Sequence, residues 1–334
     1  LLKILQKNNK RMIGWDEILN PDLPKDAVIQ SWRGAASLAE AAAKGYDGIL
    51  SAGYYIDLLE PASKHYLADP IPADSTLTEE QRQHVLGGEA TMWGEYVSPE
   101  TIDSRIWPRT AAIAERLWSQ ASVKDVPDMY RRLNAISIQL EDLGLTHKKN
   151  EDMMLRRLAA SDDVEDLRML LELAHPVTGY ARGQLKHSNT LSPLTNLVDI
   201  ARADPEGARR FDTLVDGLLA DAPGYRANRG QITQTLASWT GLQPRIHNSS
   251  ENVPALSDAI SLADNLAKSA EVAREALSFL SSDTAPPRDW ADREKGVLKD
   301  AAAPKGAVVI AVIPAIQKLV DAAAKAGSEK AASR

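Results

Sequence analysis

The sequence predicts an α/β domain, half of an eightfold (β/α)8 barrel, followed by an all-α helical domain. Three observations carry that prediction. Short apolar runs alternate with helical patterns over residues 1–145, the signature of a parallel sheet with crossover helices. Each predicted strand there ends in an aromatic: Trp15, Trp32, Tyr54–Tyr55 and Trp93. Near Gly144–Asn150, "GLTHKKN", β-type runs, Gly and aromatics give way to Ala, Leu, Asp and Arg at helical spacing. Five of the seven tryptophans precede that change.

The elements follow in order. "RMIGW" (11–15) and "AVIQSW" (27–32) are short apolar runs that read as strands. "ASLAEAAAKG" (36–45) reads as a helix closed by a C-terminal glycine. "DGILSAGYY" (47–55) is a third strand. "TEEQRQHVL" (78–86) is a short helix with Thr78 as its cap and Gln81 three residues on, the capping-box spacing. "LGGEATMW" (86–93) is a fourth, weaker strand. "DSRIWPRTAAIAERLW" (103–118) is expected to form one helix with Pro108 near its first turn and Ile106, Ile113 and Leu117 on one face. Four strand units are half of an eightfold barrel, in which function sits at the C-terminal ends of the strands. Four successive strands ending in aromatics therefore point to a ring of aromatics around one mouth. Aromatic faces in a concave mouth suit sugar rings, whose C–H faces are apolar and whose edges are polar.

From residue 150 the prediction is a helical domain to 326 and a frayed tail over 327–334. "MMLRRLAA" and "VEDLRMLLELA" space leucines helically, and 256–280 is a long amphipathic helix. "SDTAPPRDW" (282–290) reads as a loop, and Trp239 and Trp290 read as core anchors.

Composition narrows the function classes. The formal net charge is −7, which argues against a nucleic-acid or anionic-membrane partner, since both select basic surfaces. There is no cysteine, so disulfides, thiolate metal sites and cysteine nucleophiles are excluded for these 334 residues. No apolar run reaches the roughly 18 residues of a membrane helix, and "GAVVIAVIPAI" (306–316) is short and carries a proline. The histidines (His65, His84, His147, His175, His187 and His247) show no ligand spacing, so no metal and no cofactor is expected. "NSS" at Asn248 is a formal glycosylation sequon, which we discount. The opening "LLKILQKNNKR" reads as the end of an amphipathic helix without an initiator methionine, so a natural start upstream of Leu1 is expected.

At "GWDEIL", "QSWRG", "SAGYYIDL" and above all "LGGEATMWGEYVSPETIDSRIWPRTAAIAERLWS", the sequence resembles the β-N-acetylhexosaminidases of glycoside hydrolase family 20. The resemblance covers residues 1 to about 145 and implies the second half of that family's barrel, strands five to eight. It implies a retaining exo-β-N-acetylhexosaminidase that hydrolyses terminal β-linked N-acetylglucosamine or N-acetylgalactosamine. The substrate's own acetamido oxygen is then the nucleophile, unlike the usual two-carboxylate scheme. An Asp-Glu pair on the family's fourth strand supplies the acid, so the general acid is expected upstream of Leu1 and this fragment is expected to be inactive alone. The implied partners are N-acetylhexosamine glycans or chitooligosaccharides, and the implied location is periplasmic or secreted in a bacterium. The oligomeric state stays open.

By the same resemblance Trp15 and Trp32 match acetamide-pocket walls, and Tyr55 matches the hydroxyl donor to the acetamido oxygen. Asp57 and Glu95 match carboxylates that grip sugar hydroxyls, and Trp93 matches the pocket floor. One departure is "LLEPASKHYLADP" (58–70), which lacks a further tryptophan that many members carry. Beside these implications stand the plainer readings of the residues. Neighbours on a strand face opposite ways, so Tyr54 and Tyr55 compete for the mouth, and the Tyr-x-Asp spacing selects Tyr55. Asp57 and Glu95 also read as solvated loop carboxylates. Asp16–Glu17 looks like an acid pair but sits in a strand-to-loop turn, where adjacent residues point different ways, which favours capping or salt bridging; the resemblance implies the same, since it puts this pair one strand late. Glu89 reads as a structural carboxylate against Arg105 or Arg109. Trp107, Trp118, Arg109 and Arg116 read as helix packing and a barrel salt bridge. The rival from another class is a non-catalytic carbohydrate-binding or scaffold protein.

Overall fold

The structure, a computed structural model, describes residues 1–334 except 186–187, 190, 221–224, 252, 283 and 333–334. His187 therefore lies outside the described residues. The chain divides into two compact units, Leu1–His147 and Lys148–Arg334.

The first unit opens with α1 (Leu2–Lys7), a helix that buries none of its residues. It is built on four parallel strands in sequential order: β1 (Ile13–Trp15), β2 (Val28–Ser31), β3 (Asp47–Leu50) and β4 (Val85–Gly88). Register pairs Trp15 with Gln30 and Gln30 with Ile49. Helix α2 (Ala35–Ala43) connects β2 to β3; its Leu38, Ala41 and Ala42 recur at i, i+3 and i+4 and are buried. It stops at Gly45, whose φ of +76° is a backbone conformation that only glycine adopts cheaply. Between β3 and β4 lie α3 (Ala62–Leu67) and α4 (Glu79–Arg82), and the Thr78–Gln81 capping box at α4 is fully formed. Strands β3 and β4 are shorter than the apolar runs predicted for them. Their register skips Leu86, pairing Gly48 with Val85 but Ile49 with Gly87, and the bulge re-aims the chain as it leaves the sheet.

The single helix expected over 103–118 is two, α5 (Ile102–Ile106) and α6 (Arg109–Trp118). The cause is Pro108: it has no N–H for the helical ladder, and it forces Trp107 into an extended conformation. Ile113 is buried, but Leu117 is on the exposed side and Trp118 is 93% exposed, so Trp118 does not serve helix packing. Helix α7 (Val126–Asp142), capped by Asp125, completes the unit.

The second unit is helical but not all-α. Its helices are α8 (Lys149–Ala159), α9 (Glu165–Leu171), α10 (Ala181–Leu185), α11 (Leu197–Ile200), α12 (Glu206–Leu219), α13 (Tyr225–Ser250), α14 (Ser257–Ser281), α15 (Trp290–Ala301) and α16 (Ile313–Ala332). Two short strands, β5 (Ala174–Pro176) and β6 (Val308–Ile310), pair antiparallel. The β-branched run Val308-Val309-Ile310 suits a strand, and its partner lies too far away in sequence for any local pattern to announce it. Residues 327–332, expected to fray, continue α16. Along α14, Ala259, Leu262, Ala263, Leu266, Ala270, Ala273 and Leu277 form the buried stripe. Trp239 packs on Phe211 with ring centroids 4.6 Å apart, and Trp290 meets Phe279 edge-on at 5.0 Å, so both tryptophans are core residues. No helix of the described residues is long and apolar enough to cross a membrane.

Candidate active site

The loops that follow β3 and β4 are joined beyond the end of the sheet. The Thr91 amide donates to the Tyr54 carbonyl (3.0 Å) and the Ile56 amide donates to the Thr91 carbonyl (2.9 Å), so Tyr55 and Thr91 form a parallel bridge. This junction sorts the two tyrosines. Tyr54 is fully buried, its hydroxyl donates to the Ala68 carbonyl (3.1 Å), and burial pushes its ionisation well above the usual phenol range. It is a core residue, while Tyr55 is half-buried on the alternate register position.

The same junction sets Asp57 beside the backbone of Trp93. Burial raises the Asp57 carboxyl above its ordinary value; the backbone amides of Asp57 and Trp93 pull the other way, the Glu95 charge pushes up, and the Arg109 cation pulls down. Its Oδ1 is buried and has no hydrogen-bond partner among the described residues. Trp93 is 49% exposed, and its ring stacks on Trp15 at the end of β1, with centroids 6.4 Å apart and planes 30° apart. Trp15, Tyr55, Asp57, Trp93 and Glu95 therefore come from three strand ends to one place. Trp32 follows β2 and is 45% exposed. Its backbone amide donates to Asp16 Oδ2 (2.9 Å) and its indole N–H donates to Glu17 (3.1 Å).

Asp16 and Glu17 are thus both occupied as acceptors, and neither stands as a free acid. Glu89 also differs from expectation: its partners are Gln30 and Ser51 (2.8 Å), rather than Arg105 or Arg109. An amide from β2 and a hydroxyl just past β3 reach it where an arginine was expected. Arg109 instead holds the Asp57 loop. It is buried, and its guanidinium donates to the carbonyls of Ile56 (3.0 Å) and Glu60 (2.8 Å), on either side of Leu59, which has a left-handed φ of +58°. A non-glycine residue in that conformation persists only where its surroundings hold it. Arg116 also binds main chain, donating to the carbonyls of Gln120 (2.7 Å) and Val123 (2.9 Å).

His65 is a further support that the sequence did not single out. It is buried, and burial pulls its pKa below the usual histidine value, so it is a neutral imidazole whose Nδ1–H donates to the Gly53 carbonyl at 2.7 Å. Gly53, at φ +86°, makes the turn that leads into Tyr54 and Tyr55. The sequence offered Arg109 only for helix packing or a salt bridge and passed over His65, because each binds main-chain carbonyls, which no side-chain spacing reports.

A family model for the catalytic domain of glycosyl hydrolase family 20 matches residues 1–121. Over those residues the chain is similar to that family's catalytic domain. Trp15, Trp32, Tyr55, Asp57, Trp93 and Glu95 all lie within the matched segment. Over 153 residues the chain is 35% identical to the human β-hexosaminidase subunit beta, covering 43% of this chain and 27% of that protein. It is 34% identical over 163 residues to a β-hexosaminidase of Porphyromonas gingivalis, covering 43% of this chain and 21% of that one. A solved chitobiase from Flavobacterium johnsoniae superposes with a TM-score of 0.86 at 34% identity, over 95% of this chain and 49% of its own, so that match takes in the helical unit as well as the family 20 segment. The chain spans about a quarter of these curated relatives and about half of the chitobiase.

Proposed function

We propose that this chain is part of a retaining exo-β-N-acetylhexosaminidase, with β1–β4 as strands five to eight of its barrel. In this reading Trp15 and Trp32 are walls and Trp93 the floor of an acetamide pocket, and Asp57 and Glu95 grip sugar hydroxyls. Tyr55 donates its hydroxyl to the acetamido oxygen, which lines up the internal nucleophile and stabilises charge as the oxazolinium forms. The general acid and the Asp that orients the acetamide are supplied by an Asp-Glu pair outside these residues. The substrates are glycans or chitooligosaccharides ending in N-acetylglucosamine or N-acetylgalactosamine, met in the periplasm or outside the cell.

The observation that carries the proposal is the orphan Asp57 Oδ1. A buried carboxylate oxygen without a donor is costly unless a ligand supplies one. A sugar hydroxyl is such a donor, and the stacked Trp15–Trp93 pair offers the apolar face that a pyranose ring requires. The sheet supports the barrel reading: β1 and β4 each pair on one side only, and Ile13 and Leu86 on these strands are exposed.

The test is Tyr55→Phe in an enzyme form that hydrolyses p-nitrophenyl N-acetylglucosaminide. A lost oxyanion-type donor lowers turnover by about 10²–10³-fold, and a loss of only twofold would remove Tyr55 from the role. Residues 1–334 by themselves are expected to give no hydrolysis; turnover by them would place the acid within this sequence.

A further inference from the structure

Asp16 and Glu17 sit where a glycosidase acid pair would catch the eye, yet both carboxylates accept from Trp32 and Arg33. Asp16 is buried and accepts three hydrogen bonds: from the backbone amides of Trp32 (2.9 Å) and Arg33 (3.0 Å) and from the hydroxyl of Ser37 (2.6 Å) in the first turn of α2. The two amides lie just past the end of β2, where the sheet ladder no longer supplies acceptors. One carboxylate thereby ties the end of β1 to the exit of β2 and to the start of the helix behind it.

Glu17 acts on the side chain. Both of its oxygens lie within reach of the Trp32 indole N–H, at 3.1 and 3.3 Å, and Oε1 also accepts from the Arg33 guanidinium at 3.0 Å. The guanidinium carbon of Arg33 lies 5.6 Å from the centre of the Trp32 ring. A ring left 45% exposed on a loop has little packing to fix its two torsions. Hydrogen bonding from a carboxylate can do what packing does elsewhere.

We infer that Asp16 and Glu17 are positioning residues for Trp32, Asp16 fixing its backbone and Glu17 its indole ring. The inference rests on the reading of Trp32 as a pocket wall. A wall that is already in place spares the ligand the cost of ordering it, which for one side chain is a factor of about 2–10 in affinity. A structural carboxylate with no part in the pocket would leave affinity unchanged.

Two measurements separate the inference from the reading beneath it. In residues 1–334 carrying 15N-labelled indoles, with the Trp32 signal assigned by its loss in Trp32→Phe, Glu17→Ala speeds solvent exchange of the Trp32 indole N–H. Glu17→Gln, which keeps an acceptor, restores slow exchange. Asp16→Ala, which removes the acceptor, speeds exchange of the backbone amides of Trp32 and Arg33, and Asp16→Asn, whose amide oxygen can still accept from both, restores part of the protection. In an enzyme form that hydrolyses p-nitrophenyl N-acetylglucosaminide, Glu17→Ala raises KM about 2–10-fold, more than it lowers kcat, and Glu17→Gln recovers most of the loss. Unchanged exchange in Glu17→Ala and Asp16→Ala overturns the positioning role. Faster exchange with an unchanged KM overturns Trp32 as a pocket wall instead.

Discussion

The helical unit gathers its buried apolar side chains into one continuous core that runs from Met154 to Ala323. The sheet unit divides its own among small clusters around Ile29, Leu50 and Tyr66. Between those clusters stand buried arginines that grip main-chain carbonyls and carboxylates that grip main-chain amides. The difference follows from where the candidate site lies. A mouth lined by half-exposed tryptophans cannot also be packed shut, so its loops are held by directional polar contacts. The helical unit carries no such mouth, and its core is chiefly apolar burial, with a buried Arg182–Asp199 ion pair beside it.

The comparison is broken most severely from the helical side. Trp290→Ala removes a fully buried indole from the single core and is expected to cost about 3–5 kcal/mol in urea unfolding; a cost below 1 kcal/mol would mean that the core is not continuous at this point. Next in size is Arg109→Met. It keeps the apolar stem but leaves the Glu60 carbonyl without its guanidinium donor and the Ile56 carbonyl with only the Leu59 amide (3.2 Å), at a cost of about 1–3 kcal/mol. It should also raise proteolysis within 56–60, because Leu59 loses what holds its left-handed backbone.

Smaller effects sharpen the contrast. Glu115 joins Tyr66 (2.9 Å) to Arg132, and the Arg132 hydrogen bonds hold its carboxyl below the usual 4.5. A carboxyl lowered on folding contributes stability that is present above its unfolded value and is lost as pH falls through its folded value. Denaturation at pH 7 and pH 3 should therefore differ, with about 0.5–1 kcal/mol of the difference disappearing in Glu115→Gln. The smallest effect is expected at Trp118→Ser, within about 0.5 kcal/mol, because that ring is in water already.

What could be read from the sequence was whatever is encoded locally. The Thr78–Gln81 capping box, the stop at Gly45 and the leucine and alanine stripe of α14 each depend on residues within a turn or two of one another. The parallel strands of the sheet unit were legible for the same reason, as apolar runs punctuated by glycine. Pairings made across distance were not. Val308–Ile310 meets Ala174–Pro176 from the far side of most of the helical unit, and Glu89 finds Gln30 on a strand two places away. Pro108 shows a different failure. A proline at that position fits either the first turn of one helix or the gap between two, and the local pattern does not say which. At the candidate site the aromatics were visible one by one, but their supports were not, since a bond to a backbone amide leaves no mark in a pattern of side chains.

The stacking of Trp15 on Trp93 has a use at the bench. Two indoles at 6.4 Å couple their electronic transitions, so this pair contributes an exciton signal to the circular dichroism that isolated tryptophans do not. A ligand sliding against either ring would disturb that signal. The mouth thus carries its own optical reporter, readable without a label and against the background of the other tryptophans in the chain.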